Sequence, residues 1–323
     1  MLPLNVLSLF DGISCGQVAL ARAGIPVANY YSSEIDENAI KVTQHNFPKT
    51  IQLGNVSQIK GSNLPKIDLL IGGSPCQGFS FAGKMLNFND PRSKLFFDFV
   101  RLIKECDPKY FLLENVRMKK EWQNVISGHL GVKPIEINSS LVSAQNRIRH
   151  YWTNIPVNEL PDDKGILLKD IVEKGNIPEK YKVSDSGGAI TFMPVNKHSS
   201  KNGLVCLGGA MKPSHRFWVN NGKILQRNFS QGNRVYSDSG KTPTLNANNG
   251  GIGGKTGLYK IDGVIRKLTR LECERLQTIP NGYTNLISES QAIKAIGNGW
   301  TVDVISHIFK YIRNNKNEKN VTT

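Results

Sequence analysis

The chain has 323 residues, 39% hydrophobic and 21% charged, and carries a net charge of +15 at pH 7. That composition excludes a disordered chain and allows one large domain, or one large and one small. The positive excess favours a polyanionic partner. In chain order, residues 5–10 predict a short buried strand, followed by a glycine-containing turn and a helix over 17–23. An apolar stretch, Val27–Ser32, ends at Glu34; residues 36–46 then carry a helical pattern, and 67–71 read as another buried strand. A helix is expected at 93–105 and a strand at 110–113. Strands alternating with helices indicate βαβ units and a mainly parallel sheet.

The texture changes after about residue 175, where Gly, Asn, Ser and Lys dominate up to about 263, with short β-like pieces at Gly203–Leu207 and Phe217–Val219. Helical patterning returns at 269–277 and 288–313, before a polar tail. Residues 186–261 hold ten Lys or Arg against one acid, Asp238, a net +9 of the +15. So one-sided a run repels itself unless an anion lies against it. Two domains fit this layout: residues 1–175, completed by a C-terminal helix within 285–323, and a loop-rich basic domain over 176–284.

Five cysteines (15, 76, 106, 206 and 273) with no Cys-x-x-Cys pair argue against a disulfide framework and a zinc site, and fit a reducing compartment. The scattered histidines suggest no metal. The first residues lack a basic leader region, and no apolar run approaches the ~18 residues needed to span a bilayer. The expected setting is therefore cytoplasmic, away from membranes.

Four places carry chemistry. Phe10-Asp11-Gly12-Ile13-Ser14-Cys15-Gly16 joins the first strand to the first helix, where α/β folds bind ligands. Glu34 follows Gly12 by 22 residues, a spacing that suits a carboxylate holding ribose hydroxyls, while the G-x-G-x-x-G fingerprint of pyrophosphate cradles is missing. Ile71-Gly72-Gly73-Ser74-Pro75-Cys76-Gln77-Gly78 puts a thiol on a turn after a buried strand. The other four cysteines read as inert core residues. Glu114-Asn115-Val116 ends the strand at 110–113. In Gln145-Asn146-Arg147-Ile148-Arg149, alternation puts Gln145, Arg147 and Arg149 on one face of an extended segment, expected to meet solvent or a ligand.

These elements in this order resemble the cytosine-C5 DNA methyltransferase family over nearly the whole chain. The resemblance also rests on Arg266-Lys267-Leu268-Thr269 through Glu272, Arg275-Leu276-Gln277 with Pro280, Gly297-Asn298-Gly299, Asn233-Arg234-Val235-Tyr236 and Thr242-Pro243-Thr244-Leu245. It implies a Rossmann-like, S-adenosylmethionine-dependent methyltransferase domain with a small, mostly β target-recognition domain. Cys76 would then be the nucleophile, adding to carbon 6 of a flipped-out cytosine. Glu114 would act at ring N3, Arg149 would fix Glu114 and meet the base carbonyl, Arg147 would lie near phosphate, and Asn115 would share the pocket. Phe10, Asp11, Gly12, Gly16, Glu34, Ile35, Asn55, Val56, Pro75 and Asn298 would surround the cofactor. Gln77, Ser80, Arg92, Arg227, Arg234, Thr244 and Leu245 would meet DNA. The implied partner is double-stranded DNA, bound by a monomer without a metal, in a bacterial or phage setting such as restriction-modification.

The chain departs from the family at three points. Asn55 stands where relatives often carry an acid, Ala82 where some use a polar residue, and Trp300 where smaller residues are common, with no role assigned to it. Two alternatives are an RNA-directed member of the family, whose distinctive Cys-Phe-Thr stretch is missing here, and a non-catalytic DNA-binding homologue, which would have lost Pro75-Cys76 or Glu114-Asn115-Val116.

Overall fold

A computed structural model of the chain describes residues 1–74, 91–183, 191–201, 203–211, 229–247 and 252–314. It divides into two compact units: residues 1–138, 148–161 and 300–323 form the first, and 139–147 with 162–299 the second.

The first unit is built on seven strands: β1 (Leu4–Leu9), β2 (Val27–Ser33), β3 (Ile51–Gln52), β4 (Leu69–Gly72), β5 (Tyr110–Val116), β6 (Ile135–Asn138) and β7 (Ile148–Thr153). Their order across the sheet is β3-β2-β1-β4-β5-β7-β6. Strands β3, β2, β1, β4 and β5 run parallel, whereas β7 is antiparallel to both β5 and β6. Leu69, Leu70 and Ile71 of β4 are completely buried because helices cover both faces of a central parallel strand. The helices are α1 (Cys15–Ala23), α2 (Glu37–Asn46), α3 (Pro91–Cys106), α4 (Lys120–Leu130) and a last helix, numbered α7 (Val302–Asn314) in chain order. Phe96, Phe99 and Leu102 of α3 pack with Leu7, Leu9, Leu70, Leu113 and Trp152 in the main core. Helix α7 packs on α1, with Arg22 and Asp303 paired at 2.5 Å. The chain lays β2 and β3 to one side of β1 and then β4 to the other, so the strand order reverses between β1 and β4. At such a point the carboxyl ends of adjacent strands open a crevice.

The second unit carries a five-stranded sheet in the order β12-β11-β10-β9-β8, made of β8 (Thr191–Lys201), β9 (Leu204–Met211), β10 (Arg234–Ser237), β11 (Leu258–Ile261) and β12 (Val264–Arg266). Helices α5 (Arg270–Leu276) and α6 (Glu289–Asn298) follow. Thr269 caps α5, with Glu272 closing a capping box. Glu272 is also buried and held by Arg266 through two bonds of 2.6 and 2.8 Å.

The α/β architecture with a second, mainly β unit matches the expectation from sequence. The boundaries fall elsewhere. Residues 162–175 belong to the second unit because Leu168 and Lys169 donate to the carbonyls of Gly240 and Asp238, and the Glu173 amide donates to Glu272. The helical pattern at 288–313 is two helices, broken at Gly299-Trp300-Thr301, and the unit boundary lies in that break. The sequence reading missed α4, β3, β6, β7, β8, β10, β11 and β12. The β-like piece at 217–219 lies outside the described residues. Cys15, Cys106, Cys206 and Cys273 are buried, as expected of core thiols. Among the described residues no group of acids, cysteines and histidines could hold a metal ion, and no helix is long and apolar enough to cross a membrane.

Glu272→Ala would leave Arg266 buried and uncompensated. The expected loss is about 3–5 kcal/mol of stability in the second unit, measured by urea denaturation.

Candidate active site

The chain reversal after β1 is built around two carboxylates with opposite surroundings. Glu34, at the end of β2, accepts from the Gly12 amide at 2.7 Å through Oε2, and from the Ile35 and Asp36 amides at 2.7 and 2.8 Å through Oε1. A carboxylate offers about four lone-pair sites, so one on Oε2 stays open to a hydroxyl donor. Glu34 is half-buried and Ile35 beside it is 74% exposed, a bare apolar surface next to an oriented carboxylate. Phe10 takes a left-handed backbone conformation (φ 57°), rare for a bulky residue and often found where strain serves a site. An open carboxylate acceptor beside a bare apolar surface fits the diol and flat ring of a nucleoside such as that of S-adenosylmethionine.

Asp11 turns the other way. Its Oδ1 accepts from Ser8 Oγ at 2.6 Å and Tyr30 OH at 2.8 Å, and its Oδ2 from Ser32 Oγ at 3.0 Å. Burial pushes its carboxyl above the usual carboxylate range, against the lowering effect of the hydrogen bonds from Ser8, Ser14, Tyr30 and Ser32. Both carboxyl oxygens of Asp11 are thus tied to side chains of the strands that carry the turn. Gly12 (φ +59°) needs its glycine for the backbone and has open space around it. Gly16 needs it for packing: a Cβ there would lie 2.6 Å from Ile71 Cδ1 and 2.8 Å from Tyr30 OH. Val56 is a core side chain. Asn55 is exposed and caps the turn at 56–58 by accepting from the Ser57 amide at 3.0 Å. Asn298 is exposed at the end of α6 in the second unit.

Glu114 lies within β5, near its carboxyl end, and is 9% exposed. In the antiparallel register it faces Tyr151 and Val116 faces Arg149, so Arg149 is the diagonal neighbour of Glu114 on the same face. Arg149 Nε meets Glu114 Oε1 at 2.9 Å. The next residue, Asn115, points to the other face and is 2% exposed. Its Nδ2 donates to the Ser74 carbonyl at 3.3 Å and to Ser74 Oγ at 3.2 Å, across the carboxyl ends of the parallel strands β4 and β5. Asn115 thus holds the chain two residues before Cys76. Cys76 itself, with Pro75, Gln77 and Ser80, lies outside the described residues, as do Ala82 and Arg227. Arg92 is in the first turn of α3, its side chain also outside them.

Gln145 and Arg147, expected with Arg149 to meet solvent or a ligand, are instead buried. Gln145 and Arg147 belong to the second unit, and β7 with Arg149 to the first. Gln145 is fully buried: its Nε2 donates to the Leu276 carbonyl and to Gln277 Oε1, both at 3.3 Å, and its Oε1 accepts from the Leu245 amide at 3.0 Å. Arg147, 3% exposed, donates to the carbonyls of Leu245, Gly297 and Gly299. Leu245 is buried, and Thr244 donates to the Asn146 carbonyl. These residues clasp the interior of the second unit. Of the ten basic residues in 186–261, four have described side chains. Arg234 donates to the Phe229 carbonyl, Lys255 to Ser290, and buried Lys241 to the carbonyls of Ser140 and Ser143, while Lys260 is exposed. The sequence reading missed Ser74 and the prop of Ser8, Tyr30 and Ser32 beneath Asp11, for which strand alternation left no separate signal.

A family model described as "C-5 cytosine-specific DNA methylase" matches residues 4–126 and 135–314. The chain is 32% identical over 314 residues to the orphan methyltransferase M.Rho11sI of Bacillus phage rho11s, covering 82% of this chain but 62% of that longer protein. It is 29% identical to the type II methyltransferase M.HhaI of Haemophilus parahaemolyticus, covering 98% of this chain and 96% of the relative. Among solved structures, the Entamoeba histolytica methyltransferase EhMeth shares the fold with a TM-score of 0.72 at 17% identity, covering 98% and 99% of the two chains.

The raised Asp11 carboxyl makes stability depend on pH with a fixed sign. The folded chain keeps this proton to a higher pH than the unfolded chain, where the value is about 4. The linked stabilisation is complete below about pH 4 and is lost as pH rises through the folded value. In Asp11→Asn this dependence should disappear. The melting temperature of the variant relative to the native protein should therefore improve from pH 4 to pH 8.

Proposed function

The chain belongs to the C-5 cytosine-specific DNA methylase family and is a DNA (cytosine-5-)-methyltransferase of that S-adenosylmethionine-dependent family; on that premise we propose that it methylates a cytosine flipped out of double-stranded DNA, with Cys76 as covalent nucleophile and Glu114 as the partner of ring N3. The observation that carries this reading is the junction of β4 and β5: Asn115 holds Ser74, two residues before Cys76, while Glu114 stands beside it with Oε1 on Arg149.

Carbon 5 of cytosine is a poor nucleophile. Addition of the Cys76 thiolate to carbon 6 pushes electron density to carbon 5, provided charge on the ring is relieved at N3. Glu114 supplies that relief as a proton donor or strong hydrogen-bond partner. Arg149 fixes the orientation of its carboxyl, leaving Oε2 to face the base. Asn115 sets where the Cys76 turn begins. Loss of the carbon 5 proton and departure of Cys76 complete the cycle. S-adenosylmethionine supplies an activated methyl group on a sulfonium centre. Glu34, Ile35, Phe10 and the Gly12 turn would hold its nucleoside, with Glu34 Oε2 taking a ribose hydroxyl. Asp11, Gly16 and Val56 shape that site from behind.

The first unit is the catalytic domain in this reading, and the second is the target-recognition domain. The protein acts as a monomer in a bacterial cytoplasm, encoded by the cell or by a phage. The base is extruded at a cost of a few kcal/mol, offset by contacts of the basic segment 186–261 with phosphates.

Double-stranded DNA carrying 5-fluorocytosine at the target should form a denaturant-stable adduct in the presence of S-adenosylmethionine, because fluorine blocks the step that releases Cys76. The adduct should vanish in Cys76→Ala. No adduct with the native chain would refute the covalent reading. DNA affinity should fall steeply as salt rises from 50 to 200 mM, by about 0.9 logarithmic units per decade of salt for each phosphate contact. A flat response would remove segment 186–261 from the interface.

A further inference from the structure

Two glycines in the first unit border the same side chain, closely at Gly73 and at ordinary contact distance at Gly16. A Cβ on Gly73, just after β4, would lie 2.9 Å from Trp300 Nε1, 3.6 Å from Trp300 Cε2 and 3.1 Å from Glu114 Oε2. A Cβ on Gly16, after the β1 turn, would lie 3.7 Å from Trp300 Cζ3, with Tyr30 OH at 2.8 Å. The indole therefore lies along the crevice at the β1–β4 reversal. Its six-membered ring borders Gly16, and its N–H edge borders the same space over Gly73 that Glu114 Oε2 borders. The chain beyond it is anchored: Thr301 is 1% exposed and Val302 fully buried at the start of α7. Trp300 itself is only half-buried.

Glu114 is thus bracketed. Arg149 takes Oε1 at 2.9 Å, and on the Gly73 side the indole edge borders the same space as Oε2, whose remaining side is left for the base. The ring stands beside the space over Gly73 into which the carboxyl could otherwise rotate. A large rigid ring between the cofactor turn and the catalytic carboxylate also limits water there.

We propose that Trp300 is a positioning residue of the methyl-transfer reaction: its indole is the wall that orients Glu114 and joins it to the turn at Gly12–Gly16. This rests on the assignment of Glu114 to ring N3. Sequence alone could not place Trp300 here, because it falls in the break between two helices, 186 positions from Glu114 (300 − 114).

The test is a cycle of Gly73→Ala, Trp300→Val and the double variant, with Trp300→Phe and Glu114→Gln as references, read as kcat with both substrates saturating and as KM for DNA. Trp300→Val should lower kcat about tenfold or more with KM for DNA within about twofold, the pattern of a lost transition-state geometry. Trp300→Phe, which keeps a flat ring, should stay within about threefold of native. Gly73→Ala should also lower kcat about tenfold, because its methyl would press on both the indole and Glu114. In the double variant the smaller valine vacates that space, so the alanine methyl should add little: turnover should stay within about twofold of Trp300→Val instead of falling to the product of the two losses. Losses that simply multiply would overturn the proposal, as would near-native kcat in Trp300→Val. If Trp300→Val fails to fold by its melting profile, Gly73→Ala with Trp300→Phe decides: rescue of less than about twofold overturns the proposal. Glu114→Gln separates the two readings. Near-native turnover there would remove Glu114 from the mechanism and Trp300 with it. An inactive Glu114→Gln beside a fully active Trp300→Val would remove Trp300 alone.

Discussion

The parallel pairing of β1 with β4 is the constraint on which the first unit depends. Parallel strands release their chains at the same edge, and the chain must leave β1 toward β2 and enter β4 from the opposite side. The reversals after the two strands, Phe10–Gly16 and Gly73-Ser74, therefore open beside each other at the carboxyl edge. Pairing β5 parallel to β4 brings Glu114 and Asn115 to the same edge one strand further on. The antiparallel return of β7 then lays Arg149 diagonally across from Glu114. The site follows from strand order, with side chains selected by period-2 alternation.

Within that edge, what surrounds each charge decides its use. Asp11 and Glu34 are close in the fold and chemically similar. Asp11 is enclosed by the hydroxyls of Ser8, Tyr30 and Ser32 and becomes part of the scaffold. Glu34 is turned by three backbone amides but keeps a free acceptor position in a half-open setting. Arg147 and Arg149 divide in the same manner. One guanidinium is spent on backbone carbonyls inside the second unit, and the other meets a carboxylate in the first. Buried cations must be matched by acceptors, and the fold offers these two different ones.

The second unit shows why net charge is a coarse guide. The basic run at 186–261 favours a polyanion, yet Arg234, Lys241 and Lys255 each donate to oxygens of their own unit. Lys241 is buried, and desolvation lowers its proton affinity below that of an ordinary lysine, against the raising effect of Asp163 and Asp170. A count of cations cannot separate such internal donors from those left to face a phosphate.

Within the first 113 residues the longer strands and helices were legible because continuous apolar runs and helical periodicity are local signals, whereas the two-residue β3 was too short to leave one. The second-unit boundary was read late, since Leu168 and Lys169 join it through backbone hydrogen bonds that leave no mark on composition. The site was legible as a set of motifs at strand ends, and their order identified the family. By itself, then, the sequence determined the fold class, the chemistry on offer and the strand ends that carry it. Only the tertiary structure decided that Arg147 is spent on backbone carbonyls inside the second unit, that Asp11 is tied to Ser8, Tyr30 and Ser32, and that Trp300 closes on Gly73. Those outcomes depend on which distant segments share a space, and burial there is set by partners far away in the chain.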